Sequence, residues 1–417
     1  MLLPYVGVDF PGAVAMISVH TSPFEQAGRA NAGGLNVYVR RLAEELVRRG
    51  IAVDVFTRRT EADADPVIEI APRLRLLSVP GSFASAGKEE LAGHVEEFAA
   101  ALLEHPGRRD GYAVVHGHYW LAGLVGMRLR DPLGAPLVQS MHTLAAVKDA
   151  HRPPDAPAES PLRYAGEREV VAAADRLIAN TEDEAAALRR WYDADRDRLA
   201  VVPPGADLVR FTPGPRDAAR AAVGVDRDRP LVVFAGRLEP GKGLGVLLDA
   251  LALLSGRAPL LAVIGDYTRG SAGRDLLEIP LTAAAARGDV ILVPPLPQPR
   301  LAAWFRAADA VCVPSYSESF GLVALEAQAC GTPVIATDVG GLRTAVADGV
   351  SGVLVSGHEP RAWAQAVLRV TGDRVERARL AAAAPAQAAR FRWSHSADAV
   401  VDVYRSVRSS TWAAACP

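Results

Sequence analysis

Residues 315–341 read SYSESFGLVALEAQACGTPVIATDVGG and set Glu318 and Glu326 in an otherwise small, apolar run. Carboxylates are seldom buried without a partner. One carboxylate accepts two hydroxyls well, so each glutamate could hold a vicinal diol, one on a sugar and one on a ribose. The run reads as strand (AVCVPS), loop (SYSES) and helix (FGLVALEAQAC), with Glu318 ahead of the helix and Glu326 about two turns inside it. A helix start offers free N–H groups and a positive dipole end, which suit a diphosphate. Taken singly, either glutamate is what a surface helix with an incidental ion pair would also show.

A second cluster, GRLEPGKG (236–243), places Arg237 and Lys242 in one glycine turn. Two cations from one turn can clamp a pyrophosphate and neutralise charge on a departing nucleotide. The turn lacks the glycine spacing and terminal Ser/Thr of a Walker loop. Solvated cations on a loop are the competing reading. Near the start of the chain, AGRANAGGLNVYV (27–39) offers Ala32, Gly33 and Gly34 for close backbone approach and Asn36 to cap a helix or to bind. Three histidines end strands of this half: His20, His118 and His142, with His116 two residues before His118. Alternate strand residues share a face, so His116 and His118 could converge, but no third ligand accompanies them and zinc is disfavoured. His142, in SMHTLAAVK, reads either as a polar group beside the reacting carbon or as a satisfied buried histidine.

These residues need strand ends to carry them, and the chain supplies a series. AVAMISVH (13–20), IAVDVFTR, YAVVHGH, PLVQSMH and RLIANT alternate with helical stretches such as NVYVRRLAEELVRRG (36–50). After a Pro/Gly-rich passage (201–217) the pattern restarts with PLVVFAGR, PLLAVIGD, DVILVPP, AVCVPS and TPVIATD. That alternation predicts two α/β domains with parallel sheets, whose ligands gather beyond the carboxyl ends of the strands. The expected division is 1–207 and 208–390, with a terminal helix (391–410) free to pack back on the first domain. In the 417 residues, 46 Lys and Arg nearly balance 48 Asp and Glu, so no basic field points to nucleic acid. Pro4, Asp9, Pro11 and Gly12 interrupt the first apolar run, and no stretch predicts membrane insertion. The separated Cys312, Cys330 and Cys416 fit a reducing, cytoplasmic setting.

GRLEPGKG, the E-x7-E of SESFGLVALEAQACGTPVIATDVGG and the closing RWSHSADAVVDVYRSV together resemble the retaining glycosyltransferases of family 4, which have the GT-B fold. The likeness runs from Ala15 to about Val407. Within that family, ISVHTSP, AGGLNVYV, VFTRRT, GHYWLAG and HTLAAVK resemble the inositol-phosphate glycosyltransferases of mycothiol biosynthesis. The resemblance implies a nucleotide-sugar donor, normally UDP-GlcNAc, held by Gly33, Gly34, Arg237, Lys242, Leu296, Glu318, Phe320, Gly321, Leu322 and Glu326. It implies an acceptor pocket of His20, Asn36, Lys88, Tyr119, Thr143 and Arg163, and chemistry centred on His142, Arg237, Lys242 and Glu318. Lys88 and Arg163 would face a phosphate dianion. No cofactor is needed for the chemistry, although the likeness suggests a weak Mg²⁺ site around Phe305, Arg306, Ala308 and Thr332. A homodimer is compatible with it.

Several positions depart from the family pattern, which usually has proline at Ala27, an acid at Asn31, methionine at Leu35 and serine at Gly117. They lie on the acceptor side. Relatives that move N-acetylglucosamine to 2-deoxystreptamine share the same motifs, so an aminocyclitol acceptor stands as the alternative to 1D-myo-inositol 3-phosphate. Further alternatives are a non-catalytic nucleotide-sugar-binding protein and an epimerase or phosphorylase of the same fold.

Overall fold

The computed structural model describes residues 10–25, 33–61, 64–154, 156–254, 256, 258–267 and 274–415. Pro4, Asp9, Ala27, Asn31, Ala32 and Cys416, named above, lie outside them. The strands of the first sheet are β1 (Ala13–Ile17), β2 (Ala52–Arg58), β3 (Val67–Ala71), β4 (Leu74–Val79), β5 (Val114–His118), β6 (Leu137–Ser140), β7 (Arg176–Ala179) and β8 (Leu199–Val201). They lie in the order β3-β4-β2-β1-β5-β6-β7-β8. β3 runs antiparallel to β4, and the other neighbours are parallel. β1 ends at Ile17 rather than His20; Ser18 to His20 leave the sheet, with Ser18 N still donating to Phe56 O at 2.9 Å.

The second sheet contains β9 (Leu231–Ala235), β10 (Leu260–Ile264), β11 (Val290–Val293), β12 (Ala310–Val313), β13 (Val334–Thr337) and β14 (Gly352–Val355). Its order, β11-β10-β9-β12-β13-β14, is all parallel. Counted from its own first strand this is the doubly wound 3-2-1-4-5-6 arrangement, with the order reversing between β9 and β12. In the first sheet the reversal falls between β1 and β5. Strands such as AVAMI and LLAVI are buried along their whole length, as expected where helices cover both faces.

The last helix, Trp393–Ala415, belongs by sequence to the second half but packs in the first. Trp393, Ala397, Val400, Val401 and Tyr404 share an apolar cluster with Val39, Leu42 and Leu46 of the helix Gly34–Arg48 and with Val14 and Met16 of β1.

Asp309, just ahead of β12, anchors the edge of the second sheet opposite its ligand end. Its carboxylate accepts from Leu231 N (2.8 Å) and pairs with Arg220 (2.8 Å) and Arg216 (2.7 Å), with Arg377 at 3.4 Å. Both Asp309 and Arg220 are buried. Removing one partner of a buried ion pair leaves uncompensated charge, a loss of about 3–5 kcal/mol. Asp309→Ala is therefore expected to lower stability in chemical denaturation by about 3 kcal/mol; a change within about 0.5 kcal/mol would mean that the arginines are already satisfied by water and backbone carbonyls.

Candidate active site

The basic turn leaves the carboxyl end of β9. At Gly265 (φ +155°), a Cβ would fall 1.9 Å from Gly236 O, so the ends of β9 and β10 meet backbone to backbone. Gly243 (φ +71°) is as constrained, because its Cβ would fall 1.9 Å from Pro314 O. Tyr316 N also donates to Gly241 O at 2.9 Å. The turn carrying Arg237 and Lys242 is thereby seamed to the loop carrying Glu318. Lys242 Nζ lies 2.7 Å from Glu318 Oε2, which also accepts from Ser315 Oγ at 3.4 Å. Arg237 pairs with Glu239 at 3.1 Å.

The glycines that follow have a packing reason. A Cβ on Gly340 would meet Glu318 O at 2.5 Å, and one on Gly341 would meet Phe320 Cα at 2.2 Å. Gly341 N donates to Glu318 O at 2.9 Å. Glu318 is thus held by the backbone beneath it. Phe320 is buried against Phe391, and Gly321 (φ +96°) starts the helix Leu322–Ala329.

Because this helix begins at Leu322, Glu326 sits just past its first turn, not two turns inside. Glu326 is buried, and burial pushes its pKa up to about 8; nearby Arg41 opposes the shift and Asp207 adds to it. Gln298 Nε2 approaches it at 3.4 Å. Arg41 ties the two halves together here, contacting Asp207 at 2.8 Å and Gln298 Oε1 at 2.6 Å. The carboxyl ends of β10 and β11 border an open cavity of about 220 Å³ lined by residues that include Leu238, Gly265, Asp266, Tyr267, Leu292 and Pro294. Leu296 was expected beside the base, and these wall residues were not among the expected contacts. Their only signal was position, at the ends of LLAVIGD and VILVPP.

The first sheet faces this assembly. A Cβ on Gly33 would lie 3.5 Å from Arg237 Nε, and one on Gly34 3.8 Å from Leu322 Cδ1. Leu322 packs against apolar clusters of both sheets. Ser319 Oγ donates to the backbone oxygen of His142. His142 itself has φ +62°, a left-handed conformation unusual for a side chain with a Cβ. Its ring lies edge-on to Tyr38 at 4.7 Å, and its Nε2 is 3.0 Å from His118 Nδ1. Burial lowers the His142 and His116 pKa values to about 3 and holds His118 well below its ordinary value. His116 bonds Tyr404 at 2.7 Å and Ser140 at 3.0 Å. Among the described residues there is no group of three metal-ligating side chains.

A polar corner forms around Tyr119, which also has positive φ (+79°). Lys88 Nζ is 4.7 Å from the Tyr119 ring centre, Arg163 Cζ is 5.2 Å away, and the His20 ring is at 4.8 Å. Tyr119 Oη and His20 Nδ1 are buried without hydrogen-bond partners. Burial lowers the His20 pKa, and Lys88, Arg58 and Arg237 lower it further. Arg163 is almost wholly buried. It binds Glu167 and Glu159 at 2.7 Å each and donates to Thr143 Oγ1 at 2.9 Å. It therefore stands behind Thr143, which is the exposed member of the pair.

Asn36 is fully engaged in shaping the corner: its Oδ1 accepts from Gly33 N (2.8 Å) and its Nδ2 donates to Thr21 Oγ1 (2.9 Å) and Ser22 O (2.6 Å). Arg58, which the sequence reading overlooked, donates to Ala86 O (2.5 Å) and His20 O (3.3 Å) and so fastens the loop that carries Lys88.

The four residues suggested for Mg²⁺ do not suit it. Thr332 Oγ1 donates to Phe305 O at 2.6 Å, Arg306 brings a cation, and none of the four supplies a carboxylate.

Two family descriptions match the chain: Glycosyl transferase 4-like domain over residues 33–205 and Glycosyl transferases group 1 over 215–387. The D-inositol 3-phosphate glycosyltransferase of Xylanimonas cellulosilytica is 48% identical over 94% of this chain and 96% of its own length. That of Mycolicibacterium smegmatis is 47% identical over 96% and 93%. The solved structure of sucrose-phosphate synthase from Thermosynechococcus elongatus superposes with a TM-score of 0.88 at 32% identity, covering 96% of this chain and all of that one (100%). Paired doubly wound sheets, the seamed basic and acidic loops and these likenesses agree: the chain belongs to the family 4 glycosyltransferases of the GT-B fold, with the D-inositol 3-phosphate glycosyltransferases as its matched relatives.

Proposed function

We propose that the protein transfers N-acetylglucosamine from UDP-GlcNAc to a hydroxyl of 1D-myo-inositol 3-phosphate with retention of anomeric configuration. The observation that carries the acceptor is the Tyr119 corner. Two cations lie over one ring whose buried hydroxyl has no partner, an arrangement that suits an incoming phosphate. Lys88 supplies the accessible cation, Tyr119 and Thr143 donate hydrogen bonds, and Arg163 lends charge from behind. The names of the matched relatives support the same acceptor.

On the donor side, the diphosphate displaces the carboxylates from Arg237 and Lys242, leaving Glu318 free to accept sugar hydroxyls. Glu326 accepts the ribose diol, and the cavity at the ends of β10 and β11 takes the base. Retention by double displacement needs a carboxylate nucleophile under the anomeric carbon, and no acidic residue in the first-half strand-end motifs is placed for that. The reading is same-face attack. The bond from the anomeric carbon to the UDP oxygen breaks through an oxocarbenium-like state as the acceptor oxygen bonds to that carbon. The acceptor proton passes to the departing phosphate oxygen. Arg237 and Lys242 stabilise the leaving charge, and His142 contacts the sugar.

Arg237→Ala and Lys242→Ala should each lower kcat by about 10²–10³-fold in a UDP-release assay, and near-normal turnover in both would end their assignment. In a panel of inositol phosphates, free inositol and 2-deoxystreptamine with UDP-GlcNAc, the phosphorylated inositol should be the substrate, and Lys88→Ala should raise its KM about tenfold or more. Glycosylation of the unphosphorylated aminocyclitol alone would overturn the acceptor.

Glu326 yields a stability prediction of definite sign. Its folded pKa of about 8 exceeds the ordinary 4.5, so its contribution favours the fold at low pH and is lost as pH rises through that interval. Glu326→Gln should be more stable than the parent by roughly 1–2 kcal/mol near pH 9, with no gain near pH 4, while binding UDP more weakly. Equal stability at both ends in denaturation curves would contradict the buried carboxylate.

A further inference from the structure

We propose that His118 is a positioning residue that holds His142 in the tautomer with its proton on Nδ1, so that His142 offers an N–H to a sugar oxygen in the cleft. This rests on the reading of His142 as a group beside the donor sugar.

Both rings are buried and neutral at ordinary pH, so each carries one proton. The 3.0 Å contact between His118 Nδ1 and His142 Nε2 needs one donor and one acceptor. If His142 Nε2 donated, His118 would have to carry its proton on Nε2. That atom is buried with no partner, so a donor would be stranded. If His118 Nδ1 donates, Nε2 keeps only an unused lone pair. Orphaned N–H groups are the rarer and harder to accommodate of the two. The second arrangement therefore prevails, and it leaves the His142 proton on Nδ1.

His118 has little freedom to turn away. Its ring lies 4.1 Å from that of His116 and 5.2 Å, stacked, from that of His142. His116 is itself pinned at both nitrogens by Tyr404 and Ser140. The left-handed backbone of His142 and the bond from Ser319 to its carbonyl fix the other side of the pair. The line of contacts runs from Tyr404, on the final helix, to the edge of the cleft.

The decisive measurement is the ¹⁵N spectrum of the histidine-labelled free protein, with the His142 signals assigned by their loss in His142→Asn. The expected result is a protonated Nδ1 and a bare Nε2; a wild-type His142 protonated on Nε2 overturns the proposal outright. In His118→Leu the His142 signals should shift toward a mixture of tautomers, and kcat should fall about 10- to 100-fold with KM for the donor changed less than about threefold. His118→Asn, whose amide N–H takes the place of Nδ1–H, should recover most of both. If His118→Asn is as impaired as His118→Leu while the His142 spectrum stays that of the wild type, His118 serves packing only. Should the leucine variant not fold, the wild-type spectrum still decides. Because that spectrum needs no substrate, a failure of the proposed donor or acceptor would show in the turnover assay and leave the tautomer result standing.

Discussion

A cation in a partly dehydrated cleft cannot stand alone, and much of this site follows from that constraint. Lys242 rests on Glu318, Arg237 on Glu239, Arg163 on Glu159 and Glu167, and Arg41 on Asp207. Arg163 and Arg41 are held largely away from water, where an unpaired charge costs several kcal/mol, whereas Lys242 and Arg237 stay partly exposed and gain less. The pairing also keeps the cations in place before any ligand arrives. Arg163 differs because it and Glu167 are buried together, with Glu159 partly exposed, and it serves as scaffold as much as contact.

Besides the cations around Tyr119, the first sheet contributes uncharged groups. His20 after β1, His116 and His118 in β5 and His142 after β6 are kept neutral by burial; His116 bonds inward to Tyr404 and Ser140, and His118 bonds His142. Two residues with Cβ atoms, Tyr119 and His142, hold positive φ beside the cleft. Such conformations persist where surrounding structure over-determines them. Here the determinants are visible: Tyr119 N bonds Ser140 O at 2.9 Å, and the His142 carbonyl is taken by Ser319.

Most of the architecture was legible because buried parallel strands write themselves as unbroken apolar runs, and AVAMI, LVVFA and LLAVI did so. The basic turn and the acidic loop were legible because glycine marks backbone contact: Gly243 against Pro314, and Gly340 and Gly341 against Glu318 and Phe320. Boundaries were less so. β1 stops at Ile17 because the chain must turn into the cleft, and the helix bearing Glu326 starts only after Gly321 has made its left-handed turn. Asp266, Tyr267 and Leu292 were invisible, since a cavity wall is assembled from the ends of separate strands and no local pattern records it. Arg58 was hidden for the same reason; its work is done on carbonyls of His20 and Ala86, distant along the chain. The histidine contacts were half seen: alternation brought His116 and His118 near each other, but the partner of each ring came from β6, the loop after it and the last helix.

The return of the final helix to the first sheet means that the polypeptide passes between the halves twice. The two passages lie side by side: Ala206 N donates to Phe391 O at 3.0 Å, Ser396 Oγ donates to Pro203 O at 2.6 Å, and a Cβ on Gly205 would come 2.1 Å from Trp393 N. A single connector would let the lobes swivel freely. A pair of connectors bonded to each other restrains twist and separation of the lobes more than one strand would. Both crossings together therefore hold the basic turn in its place opposite the histidines.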